Sequence, residues 1–194
     1  MNNAMISIYT EQTPNPNSLK FVLNRMLYND GSAEFTQDLA KKHSPFAEYL
    51  HNISYITNVF IAKNFVTLSK DDSTEWFEVI PDIKKEIQKF FETDQIIITE
   101  ELKDILEKSK QDSIGSEGTV EQRIESALDK YIRPAVEMDG GAVYLHSFEN
   151  GMVKLMLKGA CSGCPSSTIT LKSGIEGVLK RFIPEVEEVM EVEE

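Results

Sequence analysis

The amino-acid sequence predicts an α+β protein made of two small, α/β-sandwich-like domains, each a short and mostly antiparallel sheet covered by helices. The chain has 194 residues, more than the ~100–150 residues typical of a single domain. In each half, short runs with the period of a strand are followed by longer runs with the period of a helix. A polar stretch separates the halves, which indicates a flexible linker between two independently folding domains.

Composition places the chain among ordinary globular proteins and excludes several functional classes. Hydrophobic residues make up 41% and charged residues 27% of the chain, so whole-chain disorder is excluded. The formal net charge of −12 argues against nucleic acid or an anionic membrane as a partner. Residues 1–18 have neither the apolar run of a signal peptide nor the arginine-rich character of a transit peptide. We therefore expect a cytoplasmic protein.

The first domain is expected over residues 1–98, and its strands are marked by alternation of apolar and polar residues. Residues 62–64 are a tight turn that indicates a β-hairpin, and residues 29–32 are predicted as a polar turn. Residues 96–98 are a candidate for one more edge strand. The four main strands are predicted at 5–10, 19–23, 53–61 and 64–69.

Two helical regions complete the first domain. Residues 35–52 have a broken helical pattern, with Pro45 between two short pieces. Residues 76–91 repeat large apolar side chains at steps of three and four, and Pro81 is expected to restart that helix at its first turn. Residues 99–117 are charged and then rich in polar residues and glycine, so we predict that they form the linker.

The second domain is expected over residues 118–194. Thr119 and Gln122 have the spacing of a capping box, and the helix that they begin is expected to stop at Pro134 and the Asp-Gly-Gly turn of residues 139–141. Residues 150–151 are the Asn-Gly pair typical of a two-residue hairpin. A later helix is closed by Pro184, after which the acidic tail is a candidate edge strand. The hairpin strands are predicted at 142–148 and 152–158.

Cys161 and Cys164, the two cysteines of the chain, form a C-x-x-C motif between a predicted strand and a predicted helix. The start of a helix presents unpaired N–H groups and a positive dipole end, which stabilise thiolate over thiol. Pro165 is pre-organised for the first helical position. We therefore expect both thiols to be accessible together, as metal ligands or as nucleophiles.

Several kinds of site fit a pair of thiols. One alternative is that the two cysteines are small buried side chains with no chemical role, but their spacing is that of paired-thiol sites. A dithiol–disulfide oxidoreductase needs these two cysteines alone, although no β-α-β unit surrounds them. A structural zinc site needs four ligands, and His43, His51 and His146 are not spaced to provide the others. An iron–sulfur cluster takes about four thiolates, which two chains facing each other across a two-fold axis would supply.

Two distinctive stretches of sequence remain. Residues 13–21 read TPNPNSLKF, and the second domain carries Arg133–Pro134, the Asp-Gly-Gly of residues 139–141, and CSGCPSS at residues 161–167. The first stretch resembles the signature of the Nfu N-terminal domain. The second set resembles the C-terminal domain of the NifU-like proteins, so the resemblance to the Nfu family of iron–sulfur cluster scaffolds and carriers covers both domains.

The resemblance implies a function that the residues alone leave open. In that family a [4Fe–4S] cluster is bridged between two protomers, which implies Cys161 and Cys164 as its ligands and a homodimer in the cluster-bound state. It implies an upstream scaffold as cluster donor and apo iron–sulfur proteins as recipients. It also implies a role of the cysteine-free first domain in partner contact or in modulating transfer, and no enzymatic reaction. A [2Fe–2S] cluster also takes four thiolates, and a dithiol–disulfide oxidoreductase stays the alternative function.

Overall fold

The computed structural model describes residues 6–93, 95–105, 118–162 and 165–192, and its contacts divide the chain into two units. The first unit comprises Met1–Leu106 and the second Glu107–Glu194. Each unit has its own sheet and its own buried apolar core, which confirms the predicted α+β class. Among the described helices, none combines the length and the apolar character needed to cross a membrane.

The first unit contains a five-stranded antiparallel sheet with the strand order β1-β2-β5-β4-β3. The predicted hairpin between its last two strands is confirmed, with Lys63 at a φ of 41° in the tight turn. The strands are β1 (Ile8–Gln12), β2 (Ser18–Leu23), β3 (Tyr28–Phe35), β4 (Ile56–Lys63) and β5 (Phe65–Lys70).

The predicted polar turn at residues 29–32 is wrong, because these residues lie inside β3. The pairing of β3 with β4 shifts register between Tyr28 and Ser32, and Gly31 has a φ of 156°. β3 pairs with β4 alone among the described strands, so an edge position tolerates the irregularity. Turn-forming residues here make a bulge in a strand that continues.

The helices of the first unit cover one face of its sheet. α1 (Gln37–His43) and α2 (Pro45–His51) are the two pieces predicted around Pro45. α3 (Trp76–Phe90) runs through Pro81 without the predicted restart. The Pro81 ring is exposed, whereas the opposite face of α3 buries large apolar side chains. Packing of that face offsets the one hydrogen bond that proline removes from a helix.

Residues 96–98 are irregular backbone, so the candidate edge strand is not formed. Instead, the segment is fastened to the junction of α1 and α2. The Ser44 hydroxyl donates to the carbonyl of Ile97 at 2.6 Å, and the Thr99 N–H donates to the carbonyl of His43 at 2.8 Å. The buried Ser44 hydroxyl thus satisfies the Ile97 carbonyl, which a neighbouring strand would otherwise do.

The packing of the first unit continues beyond residue 98, where the sequence places the start of the linker. Residues 100–105 are helical, and Leu102 packs against the apolar core of the first unit. The start of the linker is predicted from charge and polarity, and these do not show that a single leucine packs against the core. Independent folding of the two domains stays a prediction.

We expect Ser44→Ala to destabilise the first unit by about 2 kcal/mol, because the same hydroxyl also caps α2. It accepts from the Ala47 N–H at 3.0 Å, and Ser44 is completely buried. Thr36→Ala is the matched control, since Thr36 caps α1 through a 3.5 Å contact on the surface. Urea unfolding followed by fluorescence of the single tryptophan measures both. Equal losses would show that the Ser44–Ile97 link contributes nothing.

The second unit contains a three-stranded sheet with the order β6-β7-β8. The predicted hairpin is confirmed: Asn150 and Gly151 have φ values of 49° and 82°, as a two-residue turn of type I′ requires. The acidic tail does add an edge strand, and β8 pairs with β7 in parallel. The strands are β6 (Gly141–Glu149), β7 (Met152–Gly159) and β8 (Glu188–Glu191).

The first helix of the second unit continues past Pro134, so that part of the predicted stop is wrong, and the helical run ends at Met138, directly before the predicted turn of residues 139–141. α4 (Val120–Ala127) begins at the predicted cap, where the Thr119 hydroxyl accepts from Gln122 N–H. A π-helical turn (Leu128–Ile132) follows, and α5 (Arg133–Met138) continues from it. Pro134 therefore lies in the first turn of α5, where a missing N–H costs little.

Candidate functional site

The cysteine loop, residues 160–164, connects β7 to the last helix, α6 (Pro165–Phe182). Its predicted place between a strand and a helix is confirmed, and Pro165 begins the helix as predicted. Cys161 lies two residues beyond the end of β7. Cys164 and Gly163 lie outside the described residues. The pairing of Cys161 with Cys164 in one site therefore stays a prediction.

Cys161 is buried, with 4% of its surface exposed, and belongs to the apolar core of the second unit. The expectation that its thiol is accessible is therefore wrong for this conformation of the chain. Two hydrogen bonds turn the loop inward: Ala160 N–H donates to the Gly140 carbonyl at 3.2 Å, and Ser162 N–H donates to the Gly159 carbonyl at 3.1 Å. The sulfur thus lies beneath the loop and next to the start of β6.

Gly141 provides the space that Cys161 occupies. A Cβ atom added at Gly141 would lie 2.7 Å from Cys161 Sγ and 2.7 Å from the carbonyl oxygen of Lys158. Real Cβ atoms do not approach other atoms so closely, so this position requires glycine. The preceding Gly140 has a φ of 82°, which also favours glycine. From the sequence, these two residues indicate only a turn; their contact with the cysteine loop is visible only in the structure.

Arg133 fastens the start of β6 to the helices. Its Nε donates to the Val143 carbonyl at 3.1 Å, and its terminal nitrogens bond to Glu125 at 2.6 Å and to Asp129. Burial alone would lower the pKa of Arg133, but the hydrogen bond to Asp129 and the charge of Glu125 outweigh it, so that the pKa is raised. The guanidinium stays charged and holds the strand segment on which the cysteine loop rests.

Sequence reasoning noticed Arg133 through the family resemblance but assigned it no role. We expect Arg133→Lys to destabilise the second unit by about 1–2 kcal/mol. The reason is that a lysine ammonium cannot make the hydrogen bonds of the planar guanidinium to all three partners at once. Arg123→Lys is the control, since Arg123 makes an exposed ion pair with Glu185, and such pairs contribute little. Urea unfolding of the second unit followed by amide NMR signals compares them. A larger loss for Arg123→Lys would contradict the assigned role of Arg133.

Glu176 is a second residue that sequence reasoning missed. Its carboxylate accepts from Lys180 at 2.6 Å and from the Val189 N–H of β8 at 3.1 Å. The Lys180 hydrogen bond, followed by that of Val189, lowers the pKa of Glu176. The contact holds α6 against the edge of the sheet, and α6 in turn carries the end of the cysteine loop.

No further ligand for a metal accompanies Cys161 in the described part of the chain. Among those residues, no three histidine, cysteine, aspartate or glutamate side chains are grouped so that they would hold a metal ion. His146 lies five residues along β6 from Gly141, which is about 16 Å. His43 and His51 belong to the first unit. The sequence supplies one chain with two thiols, and a four-thiolate site therefore requires two chains.

Comparisons with known proteins match both units. Residues 8–94 match the family described as scaffold protein Nfu/NifU N terminal, and residues 124–190 match the NifU-like domain. The human mitochondrial NFU1 iron-sulfur cluster scaffold homolog is 39% identical over 186 residues, covering 95% of this chain and 71% of that protein. The NFU1 iron-sulfur cluster scaffold homolog of Drosophila persimilis is 37% identical to this chain, which spans 64% of that protein's length. A solution structure of a NifU-like protein from Saccharomyces cerevisiae covers 50% of this chain at 26% identity, with a TM-score of 0.43.

The fold and the site define a two-unit α+β protein whose second unit carries a cysteine-containing loop that rests on a double glycine. Both units match the corresponding family domains, and the human relative is matched over most of its length. The chain belongs to the Nfu/NifU family of scaffold proteins.

Proposed function

We propose that this protein is a carrier in iron–sulfur cluster assembly. Two protomers bind one [4Fe–4S] cluster through Cys161 and Cys164 of each chain and pass it to apo iron–sulfur proteins. Family membership and the name of the human relative support a scaffold role. The observation that carries the finer proposal is the donor count, because one chain supplies two thiols and a cluster takes about four.

Cluster binding requires Cys161 to leave the position against Gly141. In the structure the sulfur is buried, and a ligand to a cluster between two chains has to reach the surface of the loop. The contacts that hold it include two backbone hydrogen bonds of the loop and packing on glycine. A short loop held in this way opens without disturbing the sheet beneath it. The buried position protects the thiol of the empty carrier from oxidation, since reactivity follows exposure.

Transfer is ligand exchange and cleaves no bond of a substrate. A thiol of the recipient loses its proton to solvent as it binds iron, and the thiolate of Cys161 or Cys164 that it displaces takes up a proton. Four such exchanges move the cluster through intermediates held by both proteins, with no net change in charge or oxidation state. The two protomers separate as their shared ligands are replaced. An upstream scaffold loads the carrier by the reverse exchanges.

The iron and acid-labile sulfide content of the anaerobically reconstituted chain tests the proposal, measured on the same size-exclusion peak as its mass. A dimer with about two iron and two sulfide atoms per chain is expected for a shared [4Fe–4S] cluster, whereas about one of each indicates [2Fe–2S]. A monomer that takes up no iron but cycles between dithiol and disulfide would overturn the proposal in favour of a dithiol–disulfide oxidoreductase.

A further inference from the structure

The first unit has an open groove at the edge of its sheet, between β1 and the beginning of α3. We call it the edge groove. Its volume is about 530 Å³. Thr10 and Gln12 line one wall, and Trp76, Phe77 and Ile80 line the other. The proline-rich loop that precedes β2 closes one end of the groove.

The outer edge of β1, beside this groove, pairs with no strand in the described part of the chain. Among the described strands, β1 pairs with β2 alone. The Asn24 N–H donates to the Ser7 carbonyl at 3.2 Å, so Ser7 and every second residue after it face β2. The alternate residues Ile8, Thr10 and Gln12 therefore direct their N–H and carbonyl groups away from β2. Such an edge is a template for another strand.

A contact near the start of β1 shows where α3 meets this edge. The Gln88 side chain of α3 donates to the carbonyl of Ile6 at 2.9 Å, so α3 itself occupies this edge at Ile6. An added strand would therefore pair beyond that point, along Ile8–Gln12. This is the arrangement in which an extended peptide gains affinity from main-chain hydrogen bonds and specificity from every second side chain.

An exposed aromatic side chain, Phe77, lies in the wall of the groove, and we call it the anchor. Phe77 is 74% exposed, so its ring is available for contact with a partner. Its neighbour Trp76 is held in place, because the indole N–H donates to the Pro16 carbonyl at 3.0 Å. The groove thus combines a fixed aromatic ring with an exposed one, and a large apolar side chain of a partner would cover both.

Acidic side chains predominate beside the anchor, although Lys70 Nζ lies 5.8 Å from the centroid of the Trp76 ring. Residues 71–82 contain five acidic residues and no lysine or arginine. Asp72 accepts from Asn17 on the loop that closes the groove, and Glu75 and Glu78 are exposed on either side of Phe77. A segment with lysine or arginine next to its apolar residues complements this rim.

We propose that the edge groove binds an extended segment of a partner protein, in which lysine or arginine alternates with apolar residues, as a sixth strand beside β1. The partner's backbone pairs with Thr10 and Gln12, its apolar side chains cover Phe77, and its cationic groups face Glu75 and Glu78. This interaction surface goes beyond the cluster site, and it does not depend on the proposed carrier function.

The test is an NMR titration of the full-length chain with a nine-residue peptide that alternates lysine and valine. We expect the amide signals of Thr10 and Gln12 to shift and their hydrogen exchange to slow. A glutamate–valine peptide of the same length is expected to bind at least tenfold more weakly, because it places like charges opposite Glu75 and Glu78 in place of opposite ones.

Two variants separate strand addition from simple apolar contact. Phe77→Ala removes the anchor, and Thr10→Pro removes one outward N–H at an edge position that tolerates proline. Each is expected to weaken lysine–valine binding about tenfold. Tyr9→Ala is the matched control, because Tyr9 is 55% exposed and points to the opposite face of the strand. Unchanged unfolding midpoints verify that the variants are folded.

The proposal fails if the lysine–valine peptide causes no shifts, or if Phe77→Ala and Thr10→Pro bind it as well as Tyr9→Ala does. Loss of binding in Phe77→Ala alone would mean that the groove holds a side chain without adding a strand. Shifts of the same amides on concentrating the chain without peptide would identify a second copy as the occupant and overturn the assignment to a partner.

Discussion

Cys161→Ser is expected to abolish stable cluster loading and the cluster-dependent dimer while leaving the fold intact. A serine hydroxyl is a poor ligand for iron in a cluster, which is held by thiolates. The buried position of Cys161 accepts a hydroxyl at a cost of about 1–3 kcal/mol, less than the stability of a typical domain. Cys164→Ser is expected to have the same effect on loading. Iron and sulfide content and mass on size exclusion measure both outcomes.

Ser162→Ala is the matched control for these variants, because Ser162 lies between the two cysteines and carries no thiol. It is expected to load a full cluster and to form the dimer. A full cluster on either cysteine variant would contradict the ligand assignment. If all three variants lost the cluster, the loop conformation and not the thiols would be the requirement.

Gly141→Ala is expected to destabilise the second unit by about 2–3 kcal/mol and to lower cluster loading several-fold. The added methyl group would lie 2.7 Å from both Cys161 Sγ and the Lys158 carbonyl oxygen. The sulfur can move, but the carbonyl belongs to β7, so relief requires a shift of the hairpin or of the loop. Urea unfolding followed by NMR signals of the second unit measures the stability, and iron content measures the loading.

Gly174→Ala and Gly177→Ala are the controls for the glycine effect. Both positions lie in α6, and a Cβ atom added at either would have no neighbour within 4 Å. We expect each to stabilise the helix by about 0.5–1 kcal/mol, because alanine favours a helix over glycine. A loss of stability at these positions, or none at Gly141, would contradict the close approach of Cys161 to β6.

Much of the fold is predictable because its signals are local. The hairpin at residues 150–151 depends on two residues that adopt positive φ angles, and the start of α4 depends on the Thr119 cap. The wrong predictions fall where one local sequence pattern is compatible with two different structures. The turn formers at residues 29–32 made a bulge, and Pro134 sits in the first turn of a continuing helix. Pairing with a neighbouring strand and a π-helical turn decided these cases, and neither is encoded locally.

The candidate site was predictable in its identity but not in its arrangement. Two cysteines at the required spacing next to Pro165 indicate a paired-thiol loop, and the resemblance named the family that the comparisons confirm. The cluster type, the shared dimer site and the cytoplasmic location stay predictions. The roles of Arg133 and Glu176 were missed, since each bonds to residues on another element of the second unit.

Residue types and short spacings were sufficient to predict the α+β class, the two-part organisation, the position of the cysteine loop and the family. They did not predict that Cys161 is buried, that Gly141 makes room for its sulfur, or that β1 is an edge strand among the described strands, beside Phe77. Burial, close approach and edge exposure are relations between segments distant in the chain. They arise only when the sheet and its helices have packed.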